Sequence, residues 1–326
     1  MKAQPHATLE LGRGAMPLLE RFVRLRESIP HVALGDWPTP VISLDRFAKL
    51  HGLGTLHAKR EDMSHAQCGG NKVRGLEFLL GEARSRDIKT LVTFSSAGSH
   101  HICRTAYFAA KFGMKLVAVI VDQPPAEYVR ANLGMGIQLG TEFVKANYLS
   151  VLPRALKQLL RCGSGDRAPC MYIPPGGTSP PACIGHVNAA LELRRQIDAG
   201  ELPEPDFVYV ALGSLGTASG VALGLKIAGL SSRVVGVVTS YKLYCSRGRV
   251  ARLANRTMRL MRRHDTTVPY VKVRRGDLMV VRSALGKGYA ADRRGITPDR
   301  RNAKNAGLGA RWNIHRQNAG RCASVH

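Results

Sequence analysis

The sequence has no uninterrupted apolar run near the roughly twenty residues that a membrane-spanning helix needs. It also lacks an N-terminal cluster of positive charge followed by an apolar stretch, so nothing in it predicts export. Its seven cysteines are odd in number and form no C-x-x-C pair. That pattern argues against a disulfide framework or a zinc site and predicts reduced thiols in a cytoplasmic protein. Internal repeats and low-complexity blocks are absent. Acidic residues are scarce: 23 Asp and Glu stand against 48 Lys and Arg, a formal net charge of +25. No helix-turn-helix, zinc finger or RNA-binding signature accompanies the excess, so nucleic acid is not the expected partner. Much of the excess lies late, from Arg247 to Arg263 and after Arg293. In the first of these runs Val250, Leu253, Met258 and Met261 interleave with arginines, which predicts an amphipathic helix with a solvated basic face.

What the chain does contain is a set of junctions rich in glycine and hydroxyl groups. The first is Gly69-Gly70-Asn71-Lys72-Val73-Arg74, which follows the polar run Lys59-Arg60-Glu61-Asp62 and leads into an apolar, helix-like run from Leu76 to Ala83. Glycines let backbone approach a flat ligand closely. A helix start offers free N–H groups and the positive end of a dipole. A lysine placed there loses its proton more readily than a surface lysine and can attack a carbonyl carbon. Taken alone, the same residues also fit a loop lysine entering an amphipathic helix. The second junction follows the strand-like run Thr90–Phe94 and reads Ser95-Ser96-Ala97-Gly98-Ser99-His100-His101. The third follows Asp206–Leu212 and reads Gly213-Ser214-Leu215-Gly216-Thr217-Ala218-Ser219-Gly220. Small residues, hydroxyls and backbone N–H groups at a helix start make a phosphate cradle. The lysine of a Walker loop and the acidic partner of a dinucleotide fold are missing, so one phosphate fits better than a nucleotide.

The order K-R-E-D, G-G-N-K-V-R-G-L-E, G-S-H-H, P-P-G-G-T and G-S-L-G-T-A-S-G resembles pyridoxal-phosphate enzymes of the tryptophan-synthase-β type. Within them it is most similar to the aminocyclopropane-carboxylate deaminase and D-cysteine desulfhydrase group, over roughly 38–289. The resemblance implies a two-domain α/β fold with parallel sheets flanked by helices. It implies that Lys72 forms the Schiff base with the cofactor aldehyde, that Asn71 lies beside it, and that Gly213, Ser214, Gly216 and Thr217 hold the phosphate. Ser99 matches the position that contacts substrate and, in some members, acts on its proton or carbon, which makes it a second expected catalytic residue. Relatives usually have Ser-Asn-His where this chain has Ser99-His100-His101, and their asparagine touches the ring hydroxyl. His100 is therefore the expected cofactor contact, and His101 an expected structural residue at a helix start. A metal role for the two is not expected, since adjacent histidines project differently and no third ligand is evident. Several relatives carry a second lysine near the phosphate where this chain has Gly75. The implied activity is elimination or deamination of a small amino acid by a homodimer. The alternative is a non-catalytic cofactor-binding remnant or a basic interaction protein.

In chain order, the pattern predicts a helix over Pro17–Leu25, a helix near Leu44 and Phe47, and a strand over Leu56–Lys59. Helix and strand then alternate: helices 76–85, 102–112, 127–133, 151–161 and 184–199, with strands 90–94, 116–121 and 171–173. An apolar piece near 141–144 falls among them. Alternation of this kind predicts parallel strands. Ligands collect at one edge of such sheets. Pro174 to Pro181 reads as a stiff connector, and Glu192 is expected to face outward or onto a neighbour. Helix 221–228 and strands 233–238, 268–273 and 278–281 complete the series. The expected domains are 1–74 with 176–290, large and cofactor-binding, and 75–175, small. The segment 291–326 is rich in Arg, Asn and Gly, without an apolar period. It reads as an aberrant tail from a frameshift or truncation, the alternative being a genuine divergent tail, and with it comes an expectation of weak packing and weak activity.

Overall fold

The computed structural model describes residues 12–162, 169–240 and 244–282. The expected tail lies outside the described residues. Two short helices come first among the described residues, α1 (Pro17–Arg21) and α2 (Val23–Ser28), where the sequence pattern suggests one; the helix breaks at Phe22. Strand β1 (Val41–Ser43) precedes helix α3 (Asp45–Leu50), and β2 (His57–Lys59) pairs antiparallel with β1. Helix α4 (Lys72–Ser85), β3 (Thr90–Ser96), α5 (His100–Lys111), β4 (Lys115–Val121), α6 (Glu127–Gln138), β5 (Glu142–Ala146), α7 (Val151–Cys162) and β6 (Cys170–Ile173) follow. The remainder is α8 (Pro180–Asp198), β7 (Phe207–Leu212), α9 (Gly216–Ile227), β8 (Arg233–Val238), α10 (Arg247–His264) and β9 (Leu278–Val281).

The strands form two parallel sheets, ordered β5-β4-β3-β6 and β7-β8-β9. The first fits the near-continuous apolar runs of its central strands, in which Leu91, Val92, Ala118 and Val119 are fully buried between helices. One apolar core joins α8, α9, α10 and the β7–β9 sheet with α1 and α2. A second joins α4 and α5 to the β3–β4 sheet. Helix α4 serves both: Phe78 belongs to the first, while Leu76, Leu79 and Leu80 belong to the second. The expected domain boundary at 74/75 falls near the start of this shared helix.

Several element limits differ from the sequence reading. Helix α8 starts at Pro180, inside the expected connector, because Ser179 caps it and prolines suit a first helical turn. Helix α9 starts at Gly216 rather than 221. Val268 to Val273 is no strand. Pro269 lacks a donor there, and the backbone of Val273 bonds instead to the Asn255 side chain on α10, at 2.9 and 3.0 Å. Helix α10 does bury Val250, Leu253, Met258 and Met261, and leaves Arg252, Arg256, Arg259 and Arg263 exposed.

Of the two expected places for Glu192, the structure has the second: it is buried on α8 and faces neighbouring elements rather than solvent. It pairs with Lys59 at 2.6 Å and Arg74 at 3.0 Å, and accepts from the Thr39 N–H at 2.9 Å. Arg74 also pairs with Glu61 at 2.6 Å and lies over the Trp37 ring at 3.8 Å. Two cations and two carboxylates thus neutralise one another where the β1–β2 hairpin, α4 and α8 meet. Because Arg74 is two residues beyond Lys72, this network anchors the first turn of the helix that carries the lysine.

Candidate active site

Lys72 is the first residue of α4, four residues earlier than the apolar pattern suggests. Gly70 before it has φ +143, and a Cβ there would meet the Arg104 guanidinium at 2.5 Å. Arg104 Nε donates to the Gly69 carbonyl at 2.7 Å, so the loop is clamped from α5. Asn71 occupies the N-cap of α4 but makes no cap bond. Its amide donates instead to Thr217 Oγ1 at 2.9 Å. The Lys72 amine donates to Ser214 Oγ at 3.2 Å. Burial pushes that amine down to about 8, and the Arg104 charge adds to the effect. A sizeable neutral fraction then exists near neutral pH, which a nucleophile or a base requires.

The cradle lies where β7 runs into α9. No side chain caps α9; the Gly216 N–H donates to the Ser214 carbonyl at 2.9 Å, which leaves the N–H groups of Thr217 and Ala218 to face an anion. Leu215 at the N-cap has φ +68, a left-handed conformation that costs a side-chain-bearing residue about 1–2 kcal/mol. Its side chain is held in the large core. Such outliers gather at ligand sites when the surroundings impose them. A Cβ on Gly216 would meet nothing within 4 Å, so the cradle opens into free space. Thr178 donates from its hydroxyl to the Ser214 carbonyl, which ties the P-P-G-G-T segment to the cradle.

Ser99 caps α5 by accepting from Ile102 N–H at 3.5 Å and is buried. His100 turns toward α6: its ring stacks on Tyr128 at 5.7 Å and Nδ1 lies 3.3 Å from Asn132 Nδ2. His101 points elsewhere. It lines a cavity shared with Lys72, Gly75, Leu79, His186 and Gly216, and His100 is not on that wall. Both ring nitrogens of His101 are buried without a partner. Burial, then the charges of Lys72 and Arg104, push its imidazole down to about 3, so it is neutral. His186 Nε2 lies 3.5 Å from Thr217 Oγ1, and burial likewise lowers its affinity for a proton. Gly75 allows α4 to approach α8, since a Cβ would meet Ala182 Cβ at 3.1 Å and its carbonyl at 3.2 Å.

The structure therefore brings Asn71, Lys72, Ser214, Gly216 and Thr217 together, and leaves both Ser99 and His100 off the cavity wall. Arg104, Thr178, His101 and His186 are additions that the sequence reading did not place at the site. The H-H and P-P-G-G-T motifs hinted at His101 and Thr178, while Arg104 and His186 carried no local signal. Pyridoxal phosphate fits these residues: an amine held near 8, an uncapped helix start with open space, and an imidazole with both nitrogens unused. Among the described residues no cluster of His, Cys, Asp or Glu could hold a metal, and no helix is long and apolar enough to cross a membrane.

Comparison with known proteins gives the chain a family. The family described as "Pyridoxal-phosphate dependent enzyme" matches residues 32–296. The chain is 32% identical over 246 residues to a Pyrococcus abyssi protein named "Putative 1-aminocyclopropane-1-carboxylate deaminase", covering 75% of this chain and 71% of that one. It is 32% identical over 232 residues to the D-cysteine desulfhydrase of Salmonella paratyphi A, covering 69% and 67%. A solved ACC deaminase homologue superposes with a TM-score of 0.67 at 26% identity, over 82% of this chain and 77% of that one. The chain thus belongs to the pyridoxal-phosphate dependent enzymes, with the parallel α/β fold of the tryptophan-synthase-β type. Within them it is a homologue of the ACC deaminase and D-cysteine desulfhydrase group. The aligned part spans 63% to 71% of the length of the first four curated relatives. Weak activity, expected from the tail, finds no support in these comparisons.

Proposed function

We propose that the chain is a pyridoxal-phosphate-dependent lyase or deaminase acting on a small amino acid of the D-cysteine or aminocyclopropane-carboxylate kind. The observation that carries this reading is the meeting of Lys72 with Ser214, the residue that opens the cradle. When bound, pyridoxal phosphate supplies an aldehyde for amines and a ring that draws electrons from the amino-acid α-carbon. In this reading the N–H groups of Thr217 and Ala218, with the Ser214 and Thr217 hydroxyls, hold the phosphate, and Asn71 fixes Thr217. Lys72 attaches the cofactor through its neutral amine and later takes or returns a proton at the substrate α-carbon. Ser99 and the N–H groups opening α5 bind the substrate carboxylate, since a helix start favours an anion. Leu76 and Leu79 keep water from one side of the amine. Loss of a β-group, or ring opening, followed by hydrolysis releases ammonia and a keto acid.

The test is to load the chain with pyridoxal phosphate, remove the excess, and assay keto acid and ammonia from D-cysteine and from aminocyclopropane-carboxylate. Both products are expected from at least one substrate, and Lys72→Ala is expected to abolish them. A protein that takes up the cofactor on Lys72 yet releases no keto acid would point to a binding remnant instead. One that takes up no cofactor sinks the reading altogether. A homodimer is part of the proposal by family likeness.

A further inference from the structure

We infer that His101 is an additional anion-contacting residue, donating a ring N–H to the phosphate held at the start of α9. The inference rests on the proposed cofactor reading and extends it to a residue outside the cradle. His101 is 3% exposed, yet neither ring nitrogen has a hydrogen-bond partner. Leaving a buried polar group unpaired costs about 1–3 kcal/mol, so such a group implies a partner that arrives with a ligand. The cavity it faces is shared with Gly216, beside which there is open space. The ring cannot find its partner in the neighbouring turn: a Cβ on Gly177 would lie 3.4 Å from His101 Cε1, and glycine offers no side chain there. Gly75 lines the same cavity and contributes no polar side chain either. Lys72 is the one cation on that wall, and it is engaged with Ser214. An anion in the cradle therefore meets a neutral imidazole with an unused N–H, whereas His186 on the same wall already lies 3.5 Å from Thr217 Oγ1. A neutral imidazole has one donor and one acceptor, so it can satisfy a phosphate oxygen without adding charge. His100 cannot do the same, because its ring lies against Tyr128 and Asn132.

The experiment measures binding of pyridoxal phosphate and of pyridoxal, which lacks the phosphate, by absorbance titration of the full chain. Wild type, His101→Ala, His101→Asn and His100→Ala are compared, with thermal melting recorded for each. His101→Ala should weaken pyridoxal phosphate about tenfold and leave pyridoxal within about twofold. His101→Asn, which keeps a donor, should recover part of the loss, and His100→Ala should change neither affinity more than about twofold. Equal weakening of both ligands, or no weakening of either, overturns the inference while leaving the cofactor reading intact. A wild-type chain that binds neither ligand overturns both. Where a His101 variant does not fold, the wild type still decides the matter. Inorganic phosphate added to histidine-labelled protein should shift the ring nitrogen signals of one buried neutral imidazole that persists in both His100→Ala and His186→Asn, which leaves His101 as its source. Unshifted signals at saturating phosphate overturn it.

Discussion

The Lys72 amine and the Ser214 hydroxyl stand 3.2 Å apart although 142 positions separate them in the chain. One opens α4 and the other precedes α9, and α8 packs against both helices. In the proposed function the contact sets an attacking amine and an anion cradle in register. Neither helix start is closed by a side-chain cap. Asn71, a residue that ordinarily caps its own helix, reaches to Thr217 instead. Local helix stability is thereby given up for a link between the two halves of the site.

The depressed proton affinity of Lys72 sets a pH dependence for cofactor attachment. Only the neutral amine attacks an aldehyde, and the amine is held at about 8. The rate at which pyridoxal phosphate attaches should rise with pH through about 8 and level off above it. Borohydride reduction and peptide mapping should place the label on Lys72. A rate still rising steeply past pH 9.5, or a label on another lysine, contradicts the assignment.

Gly216 tests the cradle. Its Cβ position is empty space, so Gly216→Val does not clash with the protein but fills the volume that the phosphate would take. Affinity for pyridoxal phosphate should fall at least about tenfold, or ~1.4 kcal/mol. The melting temperature should stay close to that of the parent. Unchanged affinity in a folded variant would place the phosphate elsewhere.

The strand-to-helix junctions were legible in the sequence because buried parallel strands read as continuous apolar runs that end in glycine and serine. Val268 to Val273 shows the limit of that signal. Apolar composition alone does not distinguish a strand from an extended segment whose backbone bonds to a side chain such as Asn255. Which of its two places Glu192 takes was not legible for another reason: its partners Arg74 and Thr39 lie 118 and 153 positions away. The His100-His101 pair was ambiguous because neighbours on a helix are about 100° apart, so one of them must face away. Which one faces the cavity depends on where Ser99 starts the helix.

The buried ion network predicts a large stability cost when it is broken on one side. Arg74→Met leaves the Glu192 and Glu61 carboxylates with only Lys59 as a cation among the four. Removing one partner of a buried pair costs about 3–5 kcal/mol. Denaturant unfolding should report a loss of that order. Replacing Glu192 by Gln in the same chain should recover part of it. A single-variant loss below about 1 kcal/mol would mean that water already shares the site.

Glu77 supplies a pH-dependent contribution of the opposite kind. It is buried on α4, and its Oε1 accepts from the N–H groups of Leu34 and Gly35 at 3.1 Å each and from Trp37 Nε1 at 2.9 Å. Burial, only partly opposed by these donors, raises its carboxyl from the ordinary 4.5 to about 7. The folded chain therefore binds this proton more tightly than the unfolded chain. The stability it contributes is fully present below about pH 4.5 and is lost as pH rises through 7. The loss across that window is on the order of 3 kcal/mol. Glu77→Gln keeps an oxygen acceptor for the three N–H groups and carries no titrating proton. Unfolding free energies measured from pH 4.5 to 7.5 should then decline more for the parent chain than for the variant, with the gap opening between about 5 and 7. Parallel curves would mean that the Glu77 carboxyl is already ionised in the folded state throughout that range.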